Sequence, residues 1–122
     1  MFLLLELLKA FLFIADDQKV LVLIRGDKQI NEVKLGHILD ANEVHEANAD
    51  ELESITGSRK GGVGPVNADW ADKIIADETV KDLYNVVVGA NETDFQFQNA
   101  NLDRDFKVDE FADIRTTHAC RR

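Results

Sequence analysis

One cysteine, one proline, one tryptophan, one tyrosine and three histidines occur in these 122 residues. With Cys120 as the single thiol, no internal disulfide can form, so a reducing, cytoplasmic compartment is the simplest setting. Pro65 is the one proline and there are seven glycines, which leaves no room for a disordered linker of any size. The length fits one domain with a real core. Basic residues are also scarce. Fourteen lysines and arginines against 23 acids give a net charge of −9 and a pI near 4.7. Autonomous binding of DNA or another polyanion is disfavoured, because such affinity comes mostly from neutralising phosphates.

The opening M-F-L-L-L-E-L-L-K-A-F-L-F-I-A has no basic first region, and Glu6 and Lys9 interrupt its apolar run. It does not read as a signal peptide, and it is too short and too charged to span a bilayer. Residues 3–9 read instead as a short amphipathic helix leading into a strand over 10–15. Chemistry-bearing residues are sparse too. His37 and His45 lie eight apart, and His118 and Cys120 sit in the tail. No spacing matches a metal site, and nothing calls for a cofactor. Ser54 and Ser58 lack a nucleophile-elbow context, so a hydrolase built on this chain has to activate water or borrow a group from its substrate.

What is present centres on residues 20–35, V-L-V-L-I-R-G-D-K-Q-I-N-E-V-K-L. The apolar run reads as a strand and Gly26-Asp27 as a turn. Asn31 is a candidate N-cap for a helix over 32–39. On a wheel of about 100° per residue that starts at Ile30, Lys34 falls between apolar neighbours. It either snorkels its ammonium to water or lines a polar pocket.

Further along, Asp16-Asp17-Gln18 is a hairpin turn between strands over 10–15 and 19–25. Residues 43–47 read as a short strand. Asn48 to Glu51 resembles a capping box, and Gly57 is a stop for a helix over 50–56. Residues 73–76 form a strand entering Asp77, which can cap a helical turn through Leu83. Residues 86–88 are a buried strand. Phe95-Gln96-Phe97-Gln98 alternates with period two, 101–106 make a charged turn, and 111–114 a last short element. Short strands mixed irregularly with helices point to an α+β fold with a mixed sheet.

S-R-K-G-G-V-G-P-V, residues 58–66, is the glycine-rich loop. Its lysine precedes the glycines, so it is not a Walker A loop. It is either a surface turn or a place where main-chain N–H groups approach an oxyanion.

In order, the segments R-G-D-K-Q-I-N-E-V-K-L, G-x-x-x-P at Gly61 to Pro65, I-I-A-D at Ile74 to Asp77, V-V-G-A-N-E at Val87 to Glu92, D-R-D-F and F-A-D-I-R resemble one family. It is the editing domain inserted in bacterial-type prolyl-tRNA synthetases, the YbaK/prolyl-tRNA synthetase associated family. The likeness covers about residues 5–115, read as one domain over 1–115, and the tail 116–122 departs from it. The resemblance implies a mixed, partly closed sheet with flanking helices, and hydrolysis of alanine mis-esterified to the proline tRNA, assisted by a hydroxyl of the terminal adenosine. It implies Lys34 as a pocket lysine near the 3′-end phosphates and Asp77 as a pocket aspartate. It implies Gly61, Gly62, Val63, Gly64 and Pro65 as the loop holding ester and water. Gln96 stands where many members carry histidine; an amide can position a group but cannot act as general base. The expected partners are a mischarged tRNA 3′ end and the rest of a synthetase in cis, with no membrane and no DNA. The acidic charge suits a domain to which other parts deliver the tRNA. A free-standing deacylase, or a binding module impaired by Gln96, are the alternatives.

Overall fold

The computed structural model of the chain describes residues 7–59, 62–91 and 96–116. In chain order the elements are β1 (Leu8–Ala15), β2 (Gln18–Arg25), α1 (Glu32–Leu39), β3 (Val44–Glu46), α2 (Ala49–Thr56), β4 (Lys73–Asp77), a 3₁₀ turn (Glu78–Asp82), β5 (Val86–Gly89), β6 (Gln96–Ala100) and β7 (Glu110–Ala112). Five strands form one mixed sheet in the order β3-β1-β2-β4-β7, antiparallel on the β1 side of β2 and parallel on the β4 side. β5 and β6 form a separate antiparallel pair. A parallel bridge between Leu7 and Val87 brings that pair to the start of β1. The result is an unclosed α+β architecture.

The sheet is built around β2. Val20, Leu21, Val22, Leu23 and Ile24 are all fully buried, as expected of an uninterrupted apolar run covered on both faces. Val20 and Val22 pack with Phe13, Ile75, Ile114 and Leu35 of α1 on one face. Leu21 and Leu23 pack with Leu12, Ala76, Val63 and Val88 on the other. Each such side chain contributes roughly 1.5–3 kcal/mol by leaving water. Thus α1 lies on one side of the sheet, and the glycine-rich loop with β5 lies on the other.

Local signals set the element ends. The Asn31 side chain accepts from the N–H groups of Val33 and Lys34 and starts α1. Asn48 and Glu51 form a reciprocal capping box on α2, which stops at Gly57 with φ 77°. Asp16 takes the left-handed conformation in the β1–β2 turn, and its carboxylate accepts from the N–H groups of Asn42 and Glu43.

Two expectations are corrected. Leu8 and Lys9 belong to β1, not to an opening helix; residues 3–6 of that helix lie outside the described residues. β2 pairs over its whole length, Leu8 facing Arg25 and Ala15 facing Gln18, and this long-range partner outweighs the local periodicity. The second correction concerns the wheel. Ile30 precedes α1 and bridges Arg115, while Val33 is 69% exposed. The packed side of α1 is Leu35, Ile38 and Leu39, which leaves Lys34 at its edge. The tail from 117 on is also outside the described residues.

Candidate active site

The described part of the glycine-rich loop packs directly on the end of β5. A Cβ on Gly64 would collide with the Gly89 carbonyl oxygen, and one on Gly89 would collide with the carbonyl oxygens of Gly62 and Val63. Two backbones therefore touch where no side chain fits. Gly61 lies outside the described residues. Val63 and Pro65 are buried within the loop.

Asn91 laces this loop in place. Its N–H donates to the Gly62 carbonyl at 2.7 Å, and its Oδ1 accepts from the Gly64 N–H at 3.0 Å. Its Nδ2 donates to the Val66 carbonyl at 2.9 Å. The Gly62 N–H in turn donates to the Arg59 carbonyl at 2.9 Å. Two of the main-chain donors that the sequence offered to an oxyanion are thus committed inside the protein. Because the Gly64–Gly89 contact is backbone on backbone, Gly89→Ala is expected to destabilise the fold by about 1–3 kcal/mol through overpacking. A urea titration monitored by circular dichroism measures it, and an unchanged midpoint would show that the loop yields freely.

Beside the loop lies a cavity of about 180 Å³ lined by Leu7, Leu8, Lys9, Ala10, Phe11, Val63, Gly89 and Gln96. Gln96 starts β6 directly opposite Gly89, so strand pairing places Gln96 beside the loop. Lys9 borders it from β1, with its Nζ 5.9 Å from the Phe11 ring centroid. Sequence reasoning missed Lys9 because it was assigned to a helix. Once the strand starts at Leu8, Lys9 and Phe11 share one face with Phe13 by the period of two, the face that packs toward α1, and Lys9 is its charged position beside the cavity.

Lys34 and Asp77 meet elsewhere. The Lys34 ammonium donates to the Arg115 carbonyl at 2.9 Å and to Asp113 Oδ1 at 3.3 Å. Asp77 is fully buried at the end of β4. Its carboxylate accepts from the Thr79 hydroxyl at 2.6 Å, the Thr79 N–H at 3.1 Å and the Ile114 N–H at 3.0 Å. Arg115 Nη1 lies 3.2 Å from both of its oxygens. Burial opposes ionisation of Asp77, but the Thr79 and Ile114 bonds and the Arg115 charge outweigh it and hold the carboxyl below its usual range. Lys34, Asp113, Arg115 and Asp77 form one network on the α1 side of the sheet. The loop and Gln96 lie across the sheet from it, and neither Lys34 nor Asp77 lines the cavity.

Among the described residues, no group of three or more His, Cys, Asp or Glu side chains could hold a metal ion, and no helix is long and apolar enough to cross a membrane.

Residues 4–106 match the family model of the aminoacyl-tRNA editing domain. A proline–tRNA ligase of Lactobacillus johnsonii is 85% identical over 93% of this chain, and one of Lactobacillus acidophilus is 81% identical over the same share. The chain spans about 20% of the length of each. Among solved structures, a putative trans-editing enzyme for prolyl-tRNA synthetase superposes with a TM-score of 0.68 at 18% identity, covering 91% of this chain and 71% of that one. With residues 4–106 matched by that family model, the chain belongs to the aminoacyl-tRNA editing domain family, and its sequence is similar to a segment of proline–tRNA ligases.

Proposed function

We propose that the domain hydrolyses the ester of a mischarged aminoacyl-tRNA, clearing alanine from the proline tRNA, with the cavity beside the glycine-rich loop as its site. The observation that carries this reading is the convergence of Lys9, Val63, Gly89 and Gln96 on one small cavity. Water attacks the ester carbonyl, the bond from acyl carbon to ribose oxygen breaks, and the ribose oxygen takes up a proton. Free alanine and intact tRNA result. Neither the Gln96 amide nor the apolar lining supplies a base, which suits activation of the water by a hydroxyl of the terminal adenosine.

In this reading Lys9 offers a fixed positive charge to the ester or to the 3′-end phosphates. Gln96 orients a substrate group by hydrogen bonding. Val63 walls the amino-acid end, and Gly62, Gly64 and Pro65 shape the loop that carries it. In this reading the loop leaves room beside Val63 for the methyl of alanine and not for the ring of proline. Size exclusion of this kind is a second sieve where direct binding discriminates poorly. Lys34 and Asp77, which the family resemblance placed in the pocket, support the fold from across the sheet. The tRNA body would be held by the rest of a synthetase in the cytoplasm.

Deacylation of alanyl- and prolyl-tRNA by the chain at high enzyme concentration tests the proposal. Release of alanine, with prolyl-tRNA left intact, is the expected result; no release from either ester, or equal release from both, would sink it. Because of the −9 net charge, tRNA affinity of the chain alone is expected to be weak. A filter-binding Kd below about 1 μM at physiological salt would contradict that, since nonspecific binding alone typically gives about 10⁻⁴–10⁻⁶ M.

A further inference from the structure

We infer that Asn91 is a positioning residue for this site, setting the size of the amino-acid cavity by fixing the conformation of Val63. The inference rests on the editing reading and goes further, to the residue that controls discrimination. Asn91 holds the peptide groups on both sides of Val63. Its N–H takes the Gly62 carbonyl at 2.7 Å and its Oδ1 takes the Gly64 N–H at 3.0 Å. Peptide groups are planar and trans, so these two bonds orient the planes that flank Val63 and restrict its dihedrals. The third bond, from Nδ2 to the Val66 carbonyl at 2.9 Å, stops the loop from sliding past Asn91.

Val63 is 5% exposed and lines the cavity, so a shift of its backbone changes the room left for a substrate side chain. The Gly64–Gly89 contact sets how near the loop stands to β5, and Asn91, two residues beyond Gly89, sets its rotation. Asn91 has φ 61°, a left-handed conformation that asparagine tolerates better than most residues. Glycine adopts it without steric cost. Asn91→Gly therefore removes the side-chain bonds while keeping the turn.

The test compares wild type, Asn91→Gly and Asn91→Asp by single-turnover deacylation of alanyl- and prolyl-tRNA, with thermal melts and amide exchange at Gly64. Asn91→Gly is expected to stay folded while the ratio of kcat/KM for alanine over proline falls about tenfold, the scale of one methylene in a pocket. Asn91→Asp keeps the acceptor for the Gly64 N–H and should recover part of that ratio. Gly64 amide exchange should be faster in Asn91→Gly than in wild type. An Asn91→Gly chain with the wild-type ratio overturns the inference, and so does an unchanged Gly64 exchange rate, whatever the activity. A wild-type chain that releases neither amino acid overturns the editing reading itself, and with it the role in discrimination.

Discussion

Replacing Lys9 with alanine is expected to lower kcat/KM for alanyl-tRNA deacylation about a hundredfold, the usual loss when one preorganised electrostatic group is removed from a site. Lys34→Ala should leave it within about threefold, because removing a part-exposed ion pair costs only ~1 kcal/mol of stability. The two lysines differ by place. Lys9 lines the cavity with Val63, Gly89 and Gln96. Lys34 is tied to Asp113 and to the Arg115 carbonyl and does not line that cavity. Single-turnover release of labelled alanine by both variants, with matched circular dichroism spectra, decides between them. A large loss in Lys34→Ala beside a small one in Lys9→Ala would reverse the assignment and restore the lysine first marked by the family resemblance.

Asp77→Asn is expected to cost roughly 2–4 kcal/mol of stability at neutral pH, since it leaves Arg115 without its buried partner. Asparagine keeps an oxygen for the Thr79 and Ile114 N–H groups. It also brings an NH₂ toward donors that need an acceptor. The pH dependence carries the same information. The Asp77 carboxyl lies below its ordinary value of 3.8 in the folded chain, so on acidification the unfolded chain takes up this proton first. The contribution is therefore fully present above about pH 4 and is lost as pH falls from there through the folded value. Urea midpoints between pH 7 and pH 3 should show a steeper acid loss for wild type than for Asp77→Asn. Parallel pH profiles would mean that Asp77 contributes no linked stability.

Local order was legible where a pattern carries its own partner. The capping box at Asn48 and Glu51, the stop at Gly57, the Asn31 cap and the Asp77 cap each depend on groups within four residues, and all stand as read. The buried run at 20–24 was equally readable, because an uninterrupted apolar strand has to be covered on both faces. The start of β1 was not. A run such as L-L-K-A-F-L-F fits a helix or a strand, and the eight-residue pairing with β2 chose the strand.

The site divides along the same line. Composition and patterning by themselves pointed to an acidic chain of mixed α+β class with a glycine-rich loop. The ordered motifs pointed to the editing family. Tertiary structure alone decided which lysine borders the cavity, because β1 runs past Gly89 and Gln96 at Lys9, while α1 ties Lys34 to Asp113 and the Arg115 carbonyl. It also decided what Asn91 does, since its partners lie 25 to 29 residues earlier in the chain. Those choices rest on which faces of one sheet are covered by what, and a linear pattern holds no record of that.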